Sequence, residues 1–242
     1  MKPIIGINVD IDSTPAQEAI VQGNYFHAVQ RAGGIPILIP PMPDDDLNEI
    51  LARINGLMLI GGNDYDPKHY NEKACEKVKL AAPSRDDFDI RLIQRSVVGT
   101  NLPVLGICAG AQALNIGLGG SLVQDIPSAL KESQVQHSSK DGWETGWHYH
   151  AVKIDAGSKL AEIYPQLQLN VPTSHHQSVK RLGAGLKSTA FADDGVIEAV
   201  EYTDKPFVIG VQWHPERDFD GNVKLFETFI KHAAARTPVA AR

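Results

Sequence analysis

Short apolar runs alternate along this chain with segments of helical periodicity, and this alternation limits the fold more than any other feature. Strands are predicted at residues 4–9, 35–39, 57–60, 103–105, 149–154, 185–191, 196–202 and 207–212. Helices are predicted at residues 23–32, 44–52, 86–98, 109–118 and 222–235. A strand, a crossover helix and a further strand form one βαβ unit, so the pattern predicts an α/β fold with a mostly parallel central sheet flanked by helices.

Length and composition are sufficient for one domain with a full hydrophobic core. The chain has 242 residues, of which 43% are hydrophobic, and this size suits a single α/β domain. No repeat, low-complexity tract or linker divides the sequence. We expect one domain over residues 1–236 and a frayed tail over residues 237–242.

Charge and cysteine usage exclude several classes of function. The formal net charge of −6 argues against a nucleic-acid partner, because phosphate binding requires clustered Lys and Arg. No apolar run approaches the roughly 20 residues that cross a bilayer, and the start has no signal-peptide pattern. Cys75 and Cys108 provide no disulfide framework, which suits a reducing compartment. The sequence therefore predicts a cytoplasmic protein without a nucleic-acid or membrane partner.

Cys108 stands between two glycines where an apolar strand gives way to a helix-prone run. A side chain at the tip of a sharp strand-to-helix turn requires neighbours without a Cβ, because backbone approaches backbone there. The start of the helix also favours a thiolate through its free N–H groups and dipole. A lone cysteine is often a small buried hydrophobe, but the flanking Gly106 and Gly110 favour a nucleophile.

A second motif near the end of the chain provides a partner for this cysteine. His214 and Glu216 follow the apolar run at residues 207–211. Residues two apart in an extended segment point the same way, so Glu216 is expected to hold one nitrogen of His214 while the other faces a thiol. A histidine at a strand end is by itself an ordinary polar cap. Together with Cys108, however, the motif indicates a nucleophilic triad.

Four ordered motifs resemble those of the class I glutamine amidotransferase-type hydrolases. They are GICAGxQxLN at residues 106–115, GGSLxQDI at 119–126, SHHQ at 174–177 and GVQWHPE at 210–216. Three segments are similar to the γ-glutamyl-γ-aminobutyrate hydrolase branch, which cleaves γ-glutamyl amides in polyamine breakdown. They are residues 61–67 with Tyr70, residues 85–88 and residues 174–177. The resemblance extends from residue 3 to about residue 232. Ala109 departs from that branch, which often has Arg after the nucleophile.

The resemblance implies a flavodoxin-like fold and a catalytic triad of Cys108, His214 and Glu216. It also implies an oxyanion hole formed by the backbone N–H groups of Gly62 and Ala109, although a Gly-Gly pair after a strand is in itself only a good turn. Gln112 lies one helical turn beyond the cysteine and can reach the substrate. The residues expected to bind substrate are Gly61, Gln112, Ser174, His175, His176 and Gln177. In relatives, the loop at 174–177 holds the α-amino and α-carboxylate ends of the glutamyl group.

Metal binding and a solvated surface loop are the alternatives for the paired histidines of that loop. His148 and His150 could share one face of a strand, but no thiolates or carboxylates complete a set at zinc spacing. The sequence therefore predicts no metal site. No cofactor is expected either, because a thiolate and an imidazole already provide the nucleophile and the proton carrier.

The function predicted from these residues is hydrolysis of a γ-glutamyl amide to glutamate and an amine. The alternatives are a glutaminase subunit that delivers ammonia to a separate synthetase, and a silent binding homologue. The intact Cys108, His214 and Glu216 argue against the silent homologue. The partner is then a small γ-glutamyl amide, and a homodimer is possible.

The leaving amine is predicted from acidic and aromatic residues in segments expected to border the cleft. These residues are Asp64, Asp66, Asp86, Asp87, Trp143, Trp147 and Tyr149. Carboxylates attract an ammonium group and an aromatic face can stack on it. Asx-turns, helix starts and hairpin packing are alternative explanations for the same residues. The sequence predicts that a polyamine amide is cleaved at least as well as the γ-aminobutyrate amide.

The nucleophile assignment predicts that Cys108→Ser retains the fold and loses turnover. A serine hydroxyl beside His214 is a far poorer nucleophile in a site shaped for a thiolate. Thermal unfolding should match that of the wild type, while glutamate release from γ-glutamyl amides should fall to background. Retention of more than a few per cent of the activity would remove Cys108 from this role.

Overall fold

The computed structural model describes residues 1–12, 14–139 and 147–236. The tail expected at residues 237–242 and the predicted cleft residue Trp143 lie outside these described residues. Among the described helices, none combines the length and apolar character needed to cross a bilayer.

The described strands and helices alternate in the first half of the chain, and strands dominate the second half. The strands are β1 (Ile4–Asn8), β2 (Asp10–Ile11), β3 (Ala19–Ile20), β4 (Ile35–Ile39), β5 (Gly56–Leu59), β6 (Val104–Ile107), β7 (Ser121–Val123), β8 (His148–Ile154), β9 (Gln168–Thr173), β10 (Ser178–Arg181), β11 (Leu186–Ala192), β12 (Ile197–Tyr202) and β13 (Val208–Val211). The helices are α1 (Gly23–Arg31), α2 (Asp44–Arg53), α3 (Pro83–Val97), α4 (Ala109–Gly117), α5 (Ile126–Ala129), α6 (Lys159–Ile163) and α7 (Phe219–Ala235). Two 3₁₀ turns lie at Pro67–Tyr70 and Pro215–Arg217.

Five parallel strands form the centre of the main sheet, in the order β4-β1-β5-β6-β13. Renumbered among themselves, they have the order 2-1-3-4-5 of flavodoxin-like folds. The expected α/β architecture with a parallel centre is therefore confirmed. Beyond β13 the sheet continues with β12, β11, β8 and β9, all antiparallel to their neighbours.

The apolar residues of the parallel strands divide between two cores, one on each face of the sheet. In β5 and the residue after it, Met58 and Ile60 face the core formed with α1 and α7, whereas Leu57 and Leu59 face the core formed with α2, α3 and α4. Successive strand side chains point to opposite faces, and a sheet covered on both sides requires apolar residues at every position. This is why these strands are continuous apolar runs rather than alternating ones.

Several element boundaries differ from the sequence predictions for local reasons. Helix α3 begins three residues early because Pro83 suits the first helical position. Helix α7 also begins early, at Phe219, because the carboxylate of Asp218 accepts from the N–H of Gly221. Strand β9 was missed because its segment is half polar and contains Pro172, which is tolerated since β9 is at the edge of the sheet. The short strands β2, β3, β7 and β10 were also missed.

The turn between β6 and α4 depends on glycines that leave no room for a side chain. A Cβ at Gly110 would lie 2.3 Å from the carbonyl oxygen of Leu59 in β5. A Cβ at Gly106 would lie 2.8 Å from the carbonyl oxygen of Gly110. The backbone contact expected around Cys108 is confirmed, and it places α4 directly against the neighbouring strand.

We expect Gly110→Ala to destabilise the fold, because the added methyl group meets backbone that cannot rotate away. The free energy of unfolding should fall by about 1–3 kcal/mol, the usual cost of overpacking, as measured by urea denaturation. Gly157→Ala is the control, since a Cβ there has no neighbour within 4 Å. If both variants unfold at the wild-type urea concentration, the contact with Leu59 does not limit stability.

Candidate active site

The ends of four adjacent parallel strands surround a cavity of about 230 Å³. Asp10 follows β1, Gly61 follows β5, Cys108 follows β6 and His214 follows β13. The residues that line the cavity are Asp10, Ile20, Val21, Gln22, Tyr25, Ile60, Gly61, Gly62, Asn63, Cys108, Trp147, Ser174, His214 and Arg217. The carboxyl ends of parallel strands are the usual place for ligand sites in open α/β sheets.

Cys108 adopts a strained backbone conformation at the tip of its turn. Its φ is 52° and its ψ is −111°, a region that residues with a Cβ rarely occupy. Its N–H donates to the carbonyl oxygen of Val211 at 2.8 Å, and its own carbonyl oxygen accepts from Ala111 at 3.0 Å and Gln112 at 3.1 Å. The side chain is therefore fixed between the end of β6 and the first turn of α4, with 6% of the residue exposed.

His214 and Glu216 form the contact expected from the sequence, but in a different backbone conformation. Nδ1 of His214 lies 2.7 Å from Oε1 of Glu216. The segment is a 3₁₀ turn that begins at Pro215 rather than an extended strand. The turn is anchored where the N–H of His214 donates to the carbonyl oxygen of Pro172 at 2.9 Å. The contact between His214 and Glu216 is therefore present, but the extended backbone that was expected to produce it is not.

The electrostatic environment of His214 favours its protonated form. Burial alone lowers its pKa, but the Glu216 carboxylate and Cys108, which also hydrogen-bonds the ring, raise the pKa to about 10. Since Nδ1 faces Glu216, Nε2 is the atom that contacts the sulfur. The site can therefore hold a proton on the imidazole next to the nucleophile, as general acid catalysis requires.

The loop at Gly61 and Gly62 is held in place by a buried arginine. Arg85 is fully buried, and its Nη2 donates to the carbonyl oxygen of Gly61 at 3.0 Å. A Cβ on Gly62 would lie 1.9 Å from Nη1 of Arg85. On the other side, the N–H of Gly61 donates to the hydroxyl of Tyr25 at 3.1 Å. Only glycine fits at residue 62, for a reason that the sequence did not reveal.

Gly62 lies in the cavity wall with Cys108, and Ala109 is the first residue of α4. The first N–H groups of a helix have no carbonyl four residues earlier to bond. These positions suit the two donors of an oxyanion hole. That role for Gly62 and Ala109 stays a prediction.

Only two of the six residues expected to bind substrate line the cavity. Gly61 and Ser174 line the cavity, whereas Gln112, His175, His176 and Gln177 do not. Nε2 of Gln112 donates to Oε1 of Gln212 at 3.2 Å and to the carbonyl oxygen of Gln177 at 3.3 Å. These four side chains lie outside the cavity wall, and their direct contact with substrate stays a prediction.

Gln212 is a site residue that sequence reasoning missed. Its Nε2 lies 3.6 Å from Sγ of Cys108, and its Oε1 accepts from Gln112. The signal was present in the motif that contains His214, where Gln212 stands two residues before the histidine. Gln112 therefore acts on the nucleophile through a second amide side chain.

His176 connects two loops rather than facing the cavity. Its Nε2 lies 3.0 Å from Asp64, and its Nδ1 lies 3.2 Å from Asp125. The hydrogen bond to Asp64 is the largest cause that raises the pKa of His176. The ion pair ties the loop after β5 to the loop before α5.

The acidic residues expected at the mouth of the cleft do not line the cavity. Asp64 accepts from the backbone N–H of Lys79, and Asp86 accepts from that of Asp66. Lys68 lies 3.2 Å from Asp86 and 3.4 Å from Asp87. Local turns and this lysine hold the carboxylates away from the cavity wall, so the expectation that they border the cavity was wrong.

Trp147 does line the cavity, but its indole face already carries a cation. The guanidinium carbon of Arg217 lies 3.6 Å from the ring centroid. The indole also packs against His214, with ring centroids 5.1 Å apart. Tyr149 has no place in the cavity wall. The aromatic platform expected for a substrate ammonium is therefore occupied by a side chain of the protein.

Two groups among the described side chains have the spacing of metal ligands. They are His137, His150, His175 and Glu198, and His69, Asp86 and Asp87. In the second group the Lys68 ammonium lies 3.2 Å from Asp86 and 3.4 Å from Asp87. The first group is completely buried and does not line the cavity.

Comparison with known proteins identifies the family. A family model described as peptidase C26 matches residues 3–216. The chain belongs to the peptidase C26 family. The resemblance to class I glutamine amidotransferase-like hydrolases is confirmed at this level, and the γ-glutamyl branch stays a prediction.

Proteins similar in sequence to this chain are named either as amidotransferases or as hydrolases. A protein of Mycobacterium tuberculosis named "Putative glutamine amidotransferase" is 34% identical and covers 96% of this chain and 75% of its own length. The gamma-glutamyl-gamma-aminobutyrate hydrolase PuuD of Escherichia coli is 30% identical and covers 87% of this chain and 85% of its own. The glutaminase domain of Trypanosoma brucei CTPS, solved with bound acivicin, has a TM-score of 0.61 at 19% identity, covering 97% of this chain and 95% of that chain. The last likeness confirms the fold.

We expect Glu216→Gln to lower activity and to move its alkaline limit to lower pH. The Glu216 carboxylate raises the pKa of His214, so its neutral replacement lets the imidazolium lose its proton at lower pH. The plot of kcat/KM against pH for γ-glutamyl amide hydrolysis should show this shift, with a loss of roughly 10²-fold or more at the optimum. Glu49→Gln, at an exposed pair with Arg53, is the control. A pH profile identical to the wild type would assign Glu216 a purely structural role.

Proposed function

We propose that this protein is a cysteine-nucleophile amidase that hydrolyses the γ-glutamyl amide bond of small γ-glutamyl amines. The observation that carries the proposal is that Cys108 and His214 stand on the wall of one cavity, with Glu216 behind the imidazole at 2.7 Å. Its volume of about 230 Å³ suits a small, extended substrate. The family membership supports hydrolytic chemistry of this general kind.

The first half-reaction forms a thioester and releases the amine. The sulfur of Cys108 attacks the γ-carbonyl carbon, and the carbonyl oxygen becomes an oxyanion that the N–H groups of Gly62 and Ala109 stabilise. The C–N bond then breaks, and the departing nitrogen takes the proton from Nε2 of His214. Glu216 keeps the imidazole oriented and supports its positive charge.

The second half-reaction hydrolyses the thioester. The imidazole of His214, now neutral, removes a proton from water, and the resulting hydroxide attacks the thioester carbon. The C–S bond breaks, glutamate leaves, and the sulfur of Cys108 returns as a thiolate beside the imidazolium. No external cofactor takes part in either step.

The charges of the cavity wall favour a leaving amine that carries a carboxylate. Arg217 brings a guanidinium to the wall, where it stacks on Trp147 and lies 3.6 Å from Glu216. Asp10, on the same wall, lies 2.9 Å from the buried Arg85. A γ-aminobutyrate tail would therefore meet positive charge, and a polyamine tail would meet repulsion. We accordingly propose the γ-aminobutyrate amide as a better substrate than the putrescine or spermidine amide.

A glutaminase that delivers ammonia to a synthetase is the second candidate. It is favoured by the shared fold of the CTPS glutaminase domain and by the amidotransferase name of the mycobacterial relative. The two candidates differ in what the isolated chain does. An independent amidase turns over γ-glutamyl amides alone, whereas a glutaminase subunit prefers glutamine and requires its synthetase.

The decisive experiment compares kcat/KM for four substrates with glutamate release as the readout. They are glutamine and the γ-glutamyl amides of γ-aminobutyrate, putrescine and spermidine. We expect the γ-aminobutyrate amide to be preferred. Arg217→Gln should reduce its kcat/KM by roughly tenfold, the value of a charged hydrogen bond, without a matching loss for the putrescine amide. Arg31→Gln is a matched control, because Arg31 lies over Phe219 at 3.9 Å and outside the cavity wall.

The substrate ratio separates a charge effect from damage to the triad. Arg217 lies 3.6 Å from Glu216, so a disturbed triad would slow both amides equally. An equal loss, or a wild-type preference for putrescine amide, would contradict the assignment of Arg217. If glutamine is hydrolysed and none of the three γ-glutamyl amines is, the proposed amidase function is contradicted.

A further inference from the structure

A cluster of four buried side chains lies outside the cavity and has no part in the proposed reaction. Its members are His137 in the loop after α5, His150 on β8, His175 after β9 and Glu198 on β12. One ligand atom of each lies within 4.8 Å of the others. Each is less than a tenth exposed, and Glu198 is completely buried.

The distances within the cluster match those of a four-coordinate metal centre. Oε1 of Glu198 lies 3.2 Å from Nδ1 of His137, 3.6 Å from Nε2 of His150 and 3.4 Å from Nε2 of His175. A tetrahedron of ligands about 2.0–2.1 Å from a zinc ion has edges of about 3.3–3.4 Å. The three nitrogens are therefore separated from the carboxylate oxygen as ligands of one ion would be, and all four atoms lie within 4.8 Å of one another.

Two histidines of the cluster each have a hydrogen-bond acceptor on the side away from Glu198, and this acceptor determines which ring nitrogen carries the proton. Nε2 of His137 lies 3.0 Å from Oδ2 of Asp194, and a carboxylate only accepts, so this nitrogen carries the proton. Nδ1 of His175 lies 2.9 Å from the carbonyl oxygen of Gln177 and is protonated for the same reason. In each neutral ring the nitrogen that faces Glu198 is left with a lone pair.

Lone pairs and a carboxylate thus converge on one buried point. Oε1 and Oε2 of Glu198, Nδ1 of His137 and Nε2 of His175 have no hydrogen-bond partner. Buried acceptors that face one another repel unless a metal ion or a proton lies between them. Outer carboxylate and carbonyl partners that orient histidine rings are also the usual second shell of a metal site.

We propose that His137, His150, His175 and Glu198 bind one Zn²⁺ ion in a closed, four-coordinate structural site. Three imidazoles and one carboxylate are a ligand set that zinc accepts. With four protein ligands, the ion has no open position for water or substrate. It stabilises the fold and does not take part in the hydrolysis, so the proposal stands apart from the proposed function.

The ion would join segments that shape the catalytic cavity. His175 follows Ser174 of the cavity wall, and its N–H donates to the carbonyl oxygen of His137 at 2.8 Å. The carbonyl oxygen of Glu198 accepts from the N–H of Gln212 at 2.7 Å. Zinc at this point would therefore hold the loop after β9 against β12, the strand whose backbone binds Gln212.

The test measures metal binding by the complete chain rather than its activity. The protein is dialysed against a chelator, reloaded with Zn²⁺ and analysed for bound metal, and a second sample is titrated with Co²⁺. We expect one zinc ion per chain, visible absorption bands of four-coordinate cobalt, and a higher unfolding temperature with metal. His150→Ala should weaken binding at least tenfold, and His148→Ala, on the same strand but outside the cluster, should bind as the wild type does.

A second variant keeps the test valid if His150→Ala fails to fold. Asp194→Asn removes only the outer partner of His137, and loss of such a partner weakens metal binding roughly 10–100-fold. Wild-type protein that retains no zinc and gives no cobalt bands would show that the cluster holds only protons, and would overturn the proposal. Undiminished binding by both His150→Ala and Asp194→Asn would overturn it as well.

Discussion

A buried guanidinium fixes the end of the sheet on which the site stands. Arg85 has no exposed surface, and it pairs with Asp10 after β1 and with Asp89 one turn along α3. It also donates to the carbonyl oxygen of Gly61 after β5. A buried charge that loses its partner costs about 3–5 kcal/mol, so these strand ends and this helix keep one relative position. The cavity depends on that position, because Asp10 and Gly61 are both part of its wall.

The proposed triad depends in turn on the register between two neighbouring parallel strands. Ile107 at the end of β6 lies opposite Val211 at the end of β13, and Cys108 donates to Val211 from the next position. About one hundred residues of chain separate the nucleophile from His214, yet the ladder brings both to the same edge of the sheet. The 3₁₀ turn at Pro215 then directs Glu216 back to the imidazole. Each group comes from a strand end, so loops can vary without moving the reacting atoms.

The sequence predicted those parts of the fold that a local pattern of residues determines. Apolar runs located the parallel strands, and the glycines around Cys108 predicted the close backbone contact at its turn. The roles of Arg85, Gln212 and the buried histidine cluster depend on contacts between distant segments, which no local pattern encodes. The same limit explains the error about the cleft. Asp64 and Asp86 were expected to be free negative charges, but each accepts from a backbone N–H, and they lie beside His176 and Lys68 respectively. His175 was placed near substrate by its motif, whereas the side chain points into the interior.

The positive φ of Cys108 sets catalysis against stability at one residue. Backbone in this region costs of order 1–3 kcal/mol for a residue with a Cβ, and glycine would adopt it with little strain. Cys108→Gly would thus relieve the backbone strain and remove the proposed nucleophile at the same time. Selection of variants for thermal stability alone would therefore favour replacement of Cys108 by glycine. Such a selection should also require hydrolytic activity.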